Sequence, residues 1–329
     1  MASSRLSYES EAKAVTTPIE PRQTGTGKPL LRDLMLIARF ELGEALRTRM
    51  LLVMLLLFIG GGALGAWGFS KVVGEFEKRT ASMLKTEAGA KPGQSLELLR
   101  ETPIFRSFVR AAVDDDEQAD YIMRLPPIVL FYGWASFTFL PWLILFTSSD
   151  TISTEVASRT IRYTALRTSR LAYALGKATG QAIIILGVTV LCALTFFFVA
   201  WANFARFDVA ATALGLVLFV PRVFALSLPF LGLAMFASMA TANGNTSRLV
   251  AYGSAILLSI VAGLSGWLRD GGSTGAIAAD LAGYFTPFGR SQNFIFPFGS
   301  DFWVSLIITI GLAILYFTAG YALLRRRDL

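Results

Sequence analysis

Residues 149–177 read SDTISTEVASRTIRYTALRTSRLAYALGK. This short, strongly basic stretch joins two long apolar runs, and a membrane protein keeps arginines such as Arg159, Arg162, Arg167 and Arg170 on its cytoplasmic side. No glycine interrupts it between 151 and 175, so a short helix or helical hairpin is expected there. Glu155, Arg159, Arg162 and Arg170 would then form a stiff, charged knob between two spans. Such a knob can pass a push from a soluble partner into a helical bundle, its charges fixing the register of docking.

The rest of the composition agrees with a membrane setting. Of 329 residues 54% are hydrophobic and 16% charged, against about 25% charged in soluble domains. Several apolar runs reach the roughly 18 residues that cross about 30 Å of hydrocarbon. There is no histidine and one cysteine, Cys192. An intrachain disulfide, a His/Cys zinc site and a Ser-His-Asp triad are excluded on that basis. Cys192, inside an apolar run, reads as a small buried hydrophobe. The net charge of +7 sits beside apolar spans rather than in a stripe that would bind nucleic acid. The segment Gly25-Thr-Gly-Lys28 is no phosphate-binding loop, because Arg22 stands where the first glycine is required and Pro29 where Ser or Thr is required.

Outward from the basic stretch the chain divides into polar and apolar segments. Residues 1–29 are polar and lack the apolar core of a signal peptide, which predicts a disordered cytoplasmic tail. Over 30–49, Leu31, Leu34, Met35, Ala38, Leu42, Ala45 and Leu46 recur at helical spacing, predicting an amphipathic helix in the membrane interface. Spans are expected at 50–69, 126–148, 179–201, 209–241, 249–268 and 302–324. The 209–241 run holds Pro221 and Pro229, so a break near 221 is expected. Arg222 beside it is the intramembrane candidate for function, with a snorkelling arginine as the alternative. Residues 70–125 predict an extracytoplasmic helical segment. The acidic run at 114–117 within it reads as a solvated helix end, with a cation site as the alternative. Residues 149–178 are the cytoplasmic segment. Residues 269–301 hold pieces too short to span, which predicts re-entrant or interfacial helices.

Together these give an all-α integral membrane protein. It has six transmembrane helices, an N-terminal interfacial helix, an extracytoplasmic helical insertion after the first span, and re-entrant or interfacial helices before the last. Arg32, Arg39, Arg47, Arg49, Arg248 and Arg325 to Arg327 then fall on the side of the basic stretch, which makes both termini cytoplasmic.

Specific residues in the basic stretch extend the argument. Glu155, Thr160-Ile-Arg-Tyr163, Arg167-Thr-Ser-Arg170 and Gly176-Lys177 resemble a segment of type-2 ABC transporter permeases. In that family a Glu precedes Gly-Thr-hydrophobic, a Pro-x-Ser-Arg element, and Gly-Lys at the start of the third span. The six-span layout, Tyr284-Phe-Thr-Pro287 and the ending Arg326-Arg-Asp-Leu329 also fit, so the likeness covers about residue 30 to the end. The chain departs from the pattern in two places: Arg159 stands for the usual Gly, and no proline precedes Ser169.

The resemblance implies that this element is the coupling helix, which docks on an ATPase subunit. Glu155, Arg159, Thr160, Arg162, Tyr163, Arg167, Arg170 and Lys177 become the coupling residues. It also implies no catalysis and no bound cofactor or metal in this chain. ATP and Mg would be held by two separate ATPase subunits, beside a second permease copy or a related permease and membrane lipid. The expected function is the permease subunit of an ABC exporter in a bacterial cytoplasmic (inner) membrane. The alternatives are an ATP-independent secondary transporter or channel, and an ABC complex that works an external partner without moving a solute.

Overall fold

The computed structural model describes residues 28–47, 49–83, 116–161, 168–204, 207–269, 283, 284, 286–297 and 299–327. The expectations for nearly all of the N-terminal tail, for 84–115, for 270–282 and for Arg162, Tyr163 and Arg167 lie outside them.

The chain opens with α1 (Lys28–Arg47) and α2 (Arg49–Leu55). A π-helical turn, Leu56–Gly60, leads into α3 (Gly61–Met83). A short α4 (Asp116–Arg124) precedes α5 (Pro127–Ser148), which starts with proline where its missing N–H costs nothing. Asp116 and Glu117 fall in the first turn of α4, where negative charge suits the helix dipole. The basic stretch contributes α6 (Ser153–Ala157), and α7 runs from Arg170 to Asn203. Then come α8 (Val209–Ala240) and α9 (Gly244–Arg269). A 3-10 turn, Phe288–Arg290, and α10 (Ser291–Ile295) lead to α11 (Gly299–Arg325).

Six helices are long and apolar enough to cross a membrane, and no strand occurs among the described residues. The chain is an integral membrane protein. The bundle forms around α8, which packs against α5, α7, α9 and α11. Its buried side chains include Phe219, Phe230 and Met235, and Tyr132 of α5 and Phe196 of α7 pack in the same core.

Two helices run longer without a break than the expected segments. The third span's helix begins at Arg170, well before 179, because Ser169 caps it by accepting the Ala172 N–H at 3.1 Å. Lys177, read as a coupling residue at the start of the third span, lies in the interior of this helix. The expected break near 221 is also absent: α8 is continuous through Pro221 and Pro229. Each proline removes one backbone donor, but helices packed on several sides hold such a helix together within an apolar bundle. Ser227 Oγ also donates to the Phe224 carbonyl at 2.6 Å between the two prolines.

Candidate functional site

The site is built where α1 crosses the start of α7. A Cβ on Gly176 would come within 2.7 Å of Ile37 Cβ, and one on Gly180 within 2.8 Å of Glu41. Only glycine at these two positions lets α1 sit this close. The seating carries the Glu41 side chain inside, where its Oε1 accepts from Gln181 Nε2 at 2.8 Å. Its Oε2 lies 2.5 Å from Lys177 Nζ. Lys177 Nζ also lies 2.5 Å from Oε1 of Glu155, whose Oε2 accepts from Tyr173 Oη at 2.6 Å. Ser148 Oγ donates to Gln181 Oε1 at 3.0 Å, bringing the end of α5 into the same network.

Lys177 and Glu41 have side chains only 4% and 7% exposed, against 22% for Glu155. Buried charges are tolerated when paired and hydrogen-bonded, and here a lysine bridges two carboxylates that each hold a further donor. A polar cavity of about 210 Å³ adjoins the network, lined among others by Glu44, Asp150, Thr154 and Glu155.

The basic stretch is anchored from its other side as well. The N–H groups of Ile152 and Ser153, orphaned at the start of α6, donate to Ser238 Oγ of α8 at 2.8 and 3.1 Å. Ser247 Oγ at the start of α9 donates to the Ser149 carbonyl. Arg248 Nη2 meets Asp150 Oδ2 at 2.6 Å, and its guanidinium lies over the Phe146 ring. Ile152 and Ile161 are buried in the core below. The exposed face holds Thr154, Ala157, Ser158, Arg159 and Thr160. Arg159 has φ 59, the left-handed region, at the position that closes α6. For a residue with a Cβ this conformation costs about 1–2 kcal/mol. The departure from glycine noted in the sequence therefore falls on a backbone position that favours glycine.

The coupling residues read from the sequence thus separate into groups. Glu155, Arg159 and Thr160 gather at one end of the bundle with α1. Thr160 Oγ1 is hydrogen-bonded to Ser158 Oγ. Lys177 is buried and holds the segment from within, so it is not a surface contact. Arg170 is half-buried, and its Nη1 donates to the carbonyls of Arg325 and Arg327 at 3.0 and 3.1 Å. Arg327 in turn donates to the carbonyls of Thr241 (2.8 Å) and Ala240. The two arginines cap the ends of α11 and α8. Arg222 is remote from this end. It donates to Tyr121 Oη at 3.0 Å and lies over the Phe219 ring, 5.0 Å from its centroid.

Glu41, Asp150, Tyr173, Gln181, Ser238 and Arg248 were missed as site residues. Two carried a visible signal: Glu41 falls three and four residues after Ala38 and Ile37 on the face that packs, and Gln181 interrupts an apolar run.

A second, apolar cavity of about 530 Å³ lies between the π-helical turn, α3, α5, α7 and α9, with Phe58, Phe131, Trp134, Trp142, Phe196 and Tyr252 in its walls. Its size is that of a small-molecule site. Among the described residues no cluster of His, Cys, Asp or Glu could hold a metal ion.

Comparison with curated proteins gave no match. The family model of the ABC-2 family transporter protein matches residues 35–329, which takes in most of α1, the basic stretch and all six spans. Members of that family are membrane components that work with ATPase subunits and are not themselves catalytic. The chain belongs to the ABC-2 family of transporter proteins, as a permease component of an ABC transporter.

Proposed function

We propose that the chain is the permease of an ATP-driven exporter in a bacterial cytoplasmic membrane, with residues 149–170 as the element that meets a separate ATPase. The observation that carries this reading is the Glu41–Lys177–Glu155 network. It ties the exposed α6 to α1 and α7, while Ser238 and Arg248 tie the same segment to α8 and α9. Pulling α6 away on its own would break the Glu155 contacts to Lys177 and Tyr173, at about 1–3 kcal/mol for a hydrogen bond to a charged group. A push on α6 is therefore shared by four helices. ATP binding, by favouring one state of the ATPase, biases the packing of the bundle through this contact.

In this reading both termini are cytoplasmic, and two such chains, identical or related, pair with two ATPases. ATP and Mg are bound by those ATPases and no cofactor by this chain. Arg162, Tyr163 and Arg167 remain coupling residues of the reading by sequence, and Glu155, Arg159 and Thr160 face the ATPase. Lys177 and Arg170 support them from behind. The exposed apolar side chains of α1, Leu31, Met35, Leu36 and Phe40, then lie in the lipid interface.

The test is ATP hydrolysis by the permease–ATPase complex reconstituted in nanodiscs. Glu155→Gln should leave the ATPase bound and lower hydrolysis about tenfold, the loss of one charge-assisted contact. Undiminished hydrolysis, or a wild-type complex without any ATPase, would contradict the reading.

A further inference from the structure

Among the described residues Arg159 is the one non-glycine residue in the left-handed region. Its N–H donates to the Val156 carbonyl at 3.2 Å, so it stands just past the end of α6, where glycine ordinarily closes a helix. Among the described residues nothing offsets the strain. The side chain is exposed and has no hydrogen bond, ion pair or ring contact among the described residues.

We infer that Arg159 selects the ATPase subunit, its guanidinium pairing with a carboxylate on the ATPase surface. The inference rests on the docking reading given above. Three observations lead to it. A strained residue persists where its side chain does something its backbone does not need, and here no internal contact uses it. The position is rigid, since Ile152 and Ile161 are buried on either side and Ser238 holds the start of α6. The charge has one sign: every ionisable group from Arg159 through Lys177, apart from Tyr163 and Tyr173, is basic. Lys177 and Arg170 are engaged internally, whereas Arg159 is exposed. A complementary surface is acidic, and a guanidinium fork matches a carboxylate through two parallel hydrogen bonds.

The experiment uses the complex of the full chain with the ATPase that purifies with it, held in nanodiscs of neutral or anionic lipid. Retention of the ATPase is measured against salt for the wild type, Arg159→Gly and Arg159→Lys, and the thermal midpoint of each permease is measured alone. Arg159→Gly should weaken retention about tenfold in both lipids, with its midpoint held or raised, and Arg159→Lys should restore part of the retention. Equal retention by Arg159→Gly and wild type overturns the inference, as does a midpoint that falls together with retention. A loss confined to anionic nanodiscs overturns it in favour of a lipid headgroup. A wild-type chain that holds no ATPase overturns the docking reading itself, and this inference with it.

Discussion

Lys177 Nζ lies 2.5 Å from Oε1 of Glu155, joining a buried residue of the third span to the half-exposed face of the basic stretch. Glu41 completes the contact from α1 at the same distance. Replacing Lys177 by Met leaves the buried Glu41 carboxylate and the half-buried Glu155 carboxylate without their cation. It should lower stability by about 3–5 kcal/mol, read as a fall in the thermal midpoint of the purified chain. Glu155→Gln added to Lys177→Met should cost less than the sum of the two single changes, by about 0.5–3 kcal/mol, as expected for groups in one network.

The close seating of α1 depends on glycine in α7. Leu at Gly180 would meet the Glu41 side chain and the Ala38 carbonyl. Overpacking of this kind costs about 1–3 kcal/mol. Spin labels on α1 and α7 should report a longer and broader distance distribution in Gly180→Leu than in the wild type. An unchanged distribution would show that α1 is held by something other than this seat.

Arg327→Ala removes the donor to the Ala240 and Thr241 carbonyls, and Arg170→Ala the donor to those of Arg325 and Arg327. Each should cost about 1–3 kcal/mol in thermal stability. Below its melting midpoint, Arg170→Ala should keep wild-type ATPase retention, because its guanidinium is engaged within the chain. A large loss of retention at full stability would make Arg170 a direct contact.

Since α8 passes Pro221 without a break, Pro221→Ala restores a backbone donor in a helix already formed, at an exposed position. Its thermal midpoint should match or exceed that of the wild type. A fall would mean that the proline itself shapes the helix.

Much of this was legible in the sequence, for identifiable reasons. Long apolar runs have few alternatives in a membrane, so spans such as 126–148 and 302–324 could be read from hydropathy alone. The resemblance at Thr160 and Gly176-Lys177 pointed to the family that the match over 35–329 shows. The misreadings share one cause. Lys177 reads as an ATPase contact and Pro221 as a break when a single charge or proline is judged without its neighbours. Glu41 and Glu155 make the lysine compatible with a helix interior, and packing on several sides keeps α8 intact. Pairings such as Ser238 with the start of α6, or Arg327 with the end of α8, join residues far apart in the chain, and no local pattern announces them.

Cross-linking from the exposed tip tests the central claim most directly. Cys192 is the single cysteine and is buried, so Thr160→Cys adds one accessible thiol beside α6, and Ser300→Cys adds one at the start of α11 as a control. In native membranes, a thiol-to-lysine reagent should join Thr160→Cys to an ATPase with a phosphate-binding loop, identified by mass spectrometry, and should not do so from Ser300→Cys. Failure of Thr160→Cys to capture such an ATPase in intact membranes, with its thiol shown to be reactive, would contradict the account.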